Sequence, residues 1–343
     1  MFSVPRGLRH RSHLLYESPC CLRNLVRRGG ICLRLVHDEK IAKAIILSPN
    51  FSAYSMASSY RELAQRTKLD FASVIKLLDC LPVFINGDPH QRIRKAMARQ
   101  LSRTKDCQFS SCSDTIESLF NLAFRRNASL DLVEDFSRPL WRAISASIVA
   151  FDDNILELAE QIPDLFSPLL SIRERLRINE KIDGLLKAHP DDGDEQLILL
   201  CLISLGARPF VGTFGLSLYE IFKANPRSRM CDLAWPEMFP SSSVRFVDRL
   251  CTSQTAISDS EFEADDRVRC FTQSKDYSSE ANRKALFGYG AHTCLGKSIS
   301  EKAWSLVVKT LSRSDLRAEC DSIAMSPHNV PFLMPSYAKI ALA

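Results

Sequence analysis

Apolar residues recur at three- and four-residue intervals along most of this 343-residue chain, the spacing that buries one stripe of an α-helix. In "HDEKIAKAIILSPNFS", Ile41, Ile45 and Ile46 share a face, and Pro49 closes the helix. "SDTIESLFNLAFRR" repeats the pattern at Ile116, Leu119 and Phe120, with Ser113 and Asp114 as cap candidates. "LDLVEDFSRPLWRAISASIVAF" continues helically, Pro139 marking a start or a kink.

After the acidic turn "PDDGDE" comes a run that is apolar nearly all round, Leu197 to Phe222. Its length would cross a bilayer. Arg208 and Pro209 stand at its centre, however, and a mid-span arginine costs roughly 2.5–3.5 kcal/mol. The expected structure is therefore the buried central helix of a large globular core. A segment broken by proline and serine follows, Asn225 to Ser243, and then two strand-like pieces, "VRFVDRL" and "DDRVRCFT". In "CLGKSISEKAWSLVVKTLSRS", Leu295, Ile299, Ala303, Leu306, Val307 and Leu311 share one helical face. The predicted class is mainly α with small β-sheet elements.

Composition narrows the function. Hydrophobic residues make up 45% and charged residues 25%, as in a soluble globular protein. The net charge of +5 is small, and no basic block is interleaved with aromatics, which argues against nucleic acid as a partner. Twelve cysteines include no C-x-x-C pair, so reduced thiols in a cytoplasmic setting are expected rather than a disulfide framework. The first 36 residues carry many arginines and one acid, Glu17, without an apolar run long enough for a signal peptide or membrane anchor. Residues 1–36 are expected to be a solvated, disordered basic segment or a mispredicted start, with a mitochondrial presequence as the alternative, and 37–343 one monomeric domain.

The densest chemistry lies in "FGYGAHTCLG", where three of the chain's 12 glycines surround Cys294. At the start of a helix, free amides and the positive dipole end favour a thiolate over a thiol. Gly288 and Gly290 permit a tight turn of the amides toward the sulfur, and Phe287 can cover it. Gly296, expected one turn into the helix, allows a flat ligand to come close. A sheltered thiolate with amide donors is what a haem iron takes as a proximal sulfur ligand. Zinc is not expected, because His292 and Cys294 have no second ligand pair nearby.

This stretch resembles the haem-ligand signature of the cytochrome P450 family, F-G-x-G-x-H-x-C-x-G, and meets it at Phe287, Gly288, Gly290, His292, Cys294 and Gly296. The resemblance implies a P450-like helical fold of the soluble, bacterial type, haem b as cofactor, Cys294 as its axial ligand and His292 near a propionate. "NGDPHQRIRKAM" resembles the family's helix at the haem edge, which makes His90 and Arg94 further propionate partners. "VRFVDRL" resembles the strand region that supplies another, Arg249. The implied reaction is oxidation of a small organic, secondary-metabolite-like molecule through an iron–oxo species. Dioxygen and an NAD(P)H-dependent redox partner would drive it, guided by basic residues such as Arg94 and Lys297.

Two departures from the family pattern bear on mechanism. Where the central helix usually carries an acid and a threonine, this chain has "LGARPF", so Arg208 and Pro209 occupy their places. That pair resembles the peroxide-using branch, in which the guanidinium holds a substrate carboxylate; the alternative is a structural cation paired with a propionate or a loop acid. The second departure is the Glu-x-x-Arg pair, absent from "WPEMFPSSSVRFVDR". The chain is also tens of residues shorter than the family, without its usual N-terminal strands. A haem-binding but inactive relative is the remaining reading.

Overall fold

The longest element is the apolar run itself. In the computed structural model, which describes residues 26–28, 31–103, 106–125, 129–272, 286–326 and 332–343, it forms a 32-residue helix from Gly193 to Ala224. At ~1.5 Å per residue the helix is roughly 48 Å long. Leu197, Leu200, Cys201, Phe214 and Leu218 on it are fully buried. Among the described residues this helix is long and apolar enough to cross a membrane, but more than half of its apolar window is covered by the rest of the chain. It is the axis of the core.

The described residues form nine other α-helices: α1 (Glu39–Leu47), α2 (Met56–Thr67), α3 (Ala72–Leu78), α4 (Gly87–Arg103), α5 (Asp106–Phe124), α6 (Arg138–Ile148), α7 (Asp153–Gln161), α8 (Ile172–Ala188) and, beyond the central helix α9, α10 (Lys297–Leu311). Strands β1 (Val26–Arg28), β2 (Ile31–Val36), β8 (Arg267–Phe271), β5 (Phe246–Cys251) and β3 (Phe51–Ala53) make a five-stranded sheet in that order. Only the β2–β8 pair in it is parallel. β4 (Ser129–Asp131), β10 (Pro335–Leu342) and β9 (Ala318–Met325) form a second sheet, and β6 (Thr255–Ile257) with β7 (Ser260–Phe262) a hairpin.

Local sequence explains most of these boundaries. Asp38 caps α1 by accepting from the Ile41 amide at 2.9 Å, and the helix stops before Pro49. Pro139 lies in the first turn of α6, where its missing N–H costs nothing, so it starts that helix after a π-turn over Leu132–Ser137. α5 begins earlier than its sequence suggests: Ser113 and Asp114 lie inside it, not at its cap. The five-stranded sheet also corrects two expectations. The usual N-terminal strands are present as β1 and β2, and Ile31–Val36 belong to the folded domain, with Val36 only 1% exposed. Residues 1–25 lie outside the described residues.

The segment between α9 and β5 contains one short 3₁₀ turn, Met230–Asp232, and no α-helix that could carry a Glu-x-x-Arg pair. Aromatic packing anchors it instead. Trp304 of α10, fully buried, donates its indole N–H to the Pro236 carbonyl at 3.1 Å. Its ring lies 4.8 Å from that of Phe239 and 5.7 Å from that of Phe214 on α9. Trp304→Ala is expected to lower the unfolding free energy by about 3–5 kcal/mol, and Trp304→Phe by less, in urea denaturation.

Candidate functional site

Beneath α9 lies a cavity of about 1210 Å³, larger than the roughly 300–1,000 Å³ usual for one small ligand. Leu202, Leu205, Gly206, Pro209, Phe210 and Thr213 of α9 line one side of it. Phe287, Gly288, His292, Cys294, Leu295 and Gly296 line it too. The long helix and the glycine-rich turn therefore share one space.

The turn is built as its glycines allow. Gly288 and Gly290 have φ of +76° and +63°, values that side chains with a Cβ resist. A Cβ on Gly290 would also come within 2.9 Å of Leu47 on α1. The Cys294 amide donates to the Phe287 carbonyl at 2.7 Å, closing the loop across seven residues. Gly296 is the N-cap residue of α10, not a residue one turn inside it, and a Cβ there would meet the Cys294 sulfur at 3.8 Å. The sulfur is accessible, but its accessible surface faces the cavity. Enclosure by protein raises the thiol pKa, while the amides of Gly296 and Lys297 and the charge of Arg94 pull it back down. Those are the groups that would receive a metal-bound thiolate.

Around this turn gather the four basic groups that the sequence nominated. His90 on α4 is 4% exposed, its ring 4.3 Å from that of His292, and its Nε2 is buried without a hydrogen-bond partner. Arg94, one turn on, donates to the Thr293 carbonyl at 2.7 Å and lines the cavity. It faces inward, so it is not a surface guide for a redox partner; Arg92, Lys95 and Arg99 are exposed basic residues of that helix. Arg249 on β5 is 3% exposed and, among the described residues, donates only to the neighbouring Asp248 carbonyl, at 3.1 Å. Burial pushes the His292 pKa down to about 3, with Arg249, His90 and Arg94 adding to the effect. Burial also lowers that of Arg249.

Among the described residues no carboxylate forms an ion pair with Arg94 or Arg249. Burying a cation without a counter-charge costs several kcal/mol. The orphaned Nε2 and the unpaired guanidinium thus mark a place for an anion at the cavity edge beside Cys294. A haem fits these residues: the sulfur for its iron, His90, His292, Arg94 and Arg249 for its propionates, and an apolar cavity for its ring.

Arg208 and Pro209 separate. Pro209 lines the cavity and cannot donate to the Leu205 carbonyl one turn back. Arg208 does not line it; its guanidinium forms an ion pair with Asp164, on the 3₁₀ turn Ile162–Phe166 after α7. Burial holds the Asp164 pKa up, against the pull of Arg208. The arginine expected to hold a substrate carboxylate is thus engaged by a carboxylate of the protein, the loop-acid alternative. The sequence reading missed Ser243. This buried serine donates its hydroxyl to the Pro209 carbonyl at 2.9 Å and its amide to Thr213 Oγ1 at 3.1 Å. A Cβ on Gly212 would stand 2.8 Å from its Cβ, so the segment before β5 can press on α9 only at a glycine.

The architecture thus sets a long core helix over a cysteine turn with buried basic groups at its edge. No family model matches the sequence, and no protein of curated function is detectably similar to it. Solved structures identify the fold as that of the cytochromes P450. P450BioI, crystallised with an acyl carrier protein ligated to hexadec-9Z-enoic acid, superposes with a TM-score of 0.73 at 14% identity, covering 93% of this chain and 94% of that one. CalO2 gives 0.70 at 16% identity with 93% of each chain covered. CYP109B1 from Bacillus subtilis gives 0.62 at 15% identity, covering 90% and 93%.

Arg249→Leu should weaken haem retention at least about tenfold, since a charge-assisted hydrogen bond contributes ~1.5–3 kcal/mol. The measurement is the rate of haem transfer to apomyoglobin. Arg92→Leu, on the solvent side of the same helix as Arg94, should leave the rate unchanged.

Proposed function

We propose that this protein is a haem-thiolate monooxygenase acting on a small organic molecule, with Cys294 as the iron ligand. The observation that carries the proposal is that Cys294, His292, Arg94 and Arg249 line one cavity, with His90 buried against His292, and that among the described residues neither arginine is ion-paired with a carboxylate. A thiolate-bound haem, when present, supplies cleavage of an O–O bond and transfer of oxygen to substrate.

The chain's own part is to hold and to exclude. The amides of Gly296 and Lys297 stabilise negative charge on the Cys294 sulfur. Phe287 and Leu295 flank the turn, and Phe210 and Phe214 on α9 add to an apolar wall that limits water. Proton supply is unusual. Thr213 is the one hydroxyl that α9 contributes to the cavity wall, and it accepts the Ser243 amide while its oxygen lies 3.1 Å from Ser243 Oγ. Because Ser243 Oγ donates to Pro209, the Thr213 proton is directed at Ser243. No acid of α9 lines the cavity. Protons must then come from water or from the substrate.

That lining favours a second reading, in which hydrogen peroxide brings its own protons and no reductase is needed. A carboxylic acid held by Arg208 is no longer part of it, given the Asp164 pair.

The reduced, carbon monoxide-bound protein is expected to show the displaced Soret band of thiolate ligation, and Cys294→Ser to lose it. An unshifted haem band in the parent protein would refute the proposal. Product formed with peroxide but not with dioxygen plus a reductase would select the second reading.

A further inference from the structure

Adjacent residues of β5 serve opposite faces of the five-stranded sheet. Arg249 lies on the face shared with Val247, Val268 and Cys270, which pack toward α1. Asp248 lies on the other, opposite Arg269 in register and beside Arg267. Arg269 grips Asp248 with two bonds, Nε to Oδ1 at 2.8 Å and Nη2 to Oδ2 at 3.0 Å. Arg267 directs Nε and Nη2 to the same Oδ2, the first at 3.2 Å. Two guanidinium groups thus share one carboxylate, which leaves a net positive charge.

Both arginines are held as rigid plates. The Arg267 guanidinium carbon lies 3.9 Å from the centre of the Tyr54 ring, and that of Arg269 lies 3.8 Å from the centre of Phe246. Among the described residues neither Nη1 has a hydrogen-bond partner. The side chains are about a quarter exposed, and both line the cavity that holds Cys294. Leu33 and Leu35, their register partners on β2, surround them with apolar surface. Other charged groups of the lining do not cancel the surplus. Arg175 is turned to the carbonyls of Leu165, Ser167 and Leu170, while Glu62 and Arg66 are exposed on α2.

We propose that Arg267 and Arg269, held by Asp248, bind the carboxylate of the substrate, which is therefore an apolar molecule with one acidic end. The inference rests on the monooxygenase reading for the chemistry, but the binding it describes is measurable without turnover. A planar carboxylate suits the free guanidinium edges, and the apolar cavity suits the remainder of the molecule.

Isothermal titration calorimetry of the haem-loaded protein with dodecanoate and with dodecanamide tests this. Dodecanoate should bind at least about tenfold more tightly, and the double substitution Arg267→Gln with Arg269→Gln should bring the two within about twofold while dodecanamide binding stays constant. Equal binding by the parent protein, no binding of dodecanoate, an unchanged ratio in the double variant, or loss of haem from that variant would each overturn the proposal. If the double variant does not fold, Asp248→Asn replaces it. Removing the competing carboxylate should tighten dodecanoate several-fold and leave dodecanamide alone, and unchanged dodecanoate binding would overturn the idea. Acid selectivity in a protein lacking the thiolate band would uphold this site and refute only the reading of Cys294.

Discussion

Buried basic groups without counter-charges are the constraint on which this molecule turns. Arg249 at 3% exposure and His90 with an orphaned Nε2 cannot be satisfied by the described protein groups around them. Water or an anion must complete them, because desolvating a cation costs far more than a surface ion pair returns. The cysteine turn places its sulfur beside that unmet need. A ligand that is soft-metal at its centre and anionic at its edge satisfies both at once, and that is the chemistry of haem.

The five-stranded sheet extends the same logic by alternation. Moving one residue along β5, from Arg249 to Asp248, reverses the face and changes the problem. On one face an unpaired arginine awaits an anion. On the other, two arginines crowd one carboxylate and are locked against aromatic rings. A one-residue slip in this register would exchange the two faces, so pairing of β5 with β8 and β3 decides which surroundings each charged group meets.

The middle of α9 carries the clearest trade between structure and chemistry. Where an acid and a hydroxyl would stand in the family, this chain has an arginine used against Asp164 and a proline whose carbonyl is bound by Ser243. Thr213, one turn further, is tied to the same serine. These contacts brace the helix against the segment leading to β5, a segment that has no Glu-x-x-Arg helix to brace it and leans on Trp304 and Phe239 instead. Groups spent on packing are no longer free to move protons.

Much of this was legible beforehand, for local reasons. Helical periodicity, the caps and the glycines with positive φ act over a few residues, so α1, α9, α10 and the Cys294 turn could be read along the chain. The resemblance also nominated His90, Arg94, Arg249 and His292, which the fold gathers around that turn. Chain folding alone decided whether each charged group met a partner. Arg208 found Asp164 across 44 positions of sequence, Arg267 and Arg269 found Asp248, and among the described residues Arg249 found no carboxylate. Sequence states which charges exist and which face of a strand they take; long-range packing settles which are neutralised, because an ion pair depends on distance in space and leaves no periodic trace along the chain.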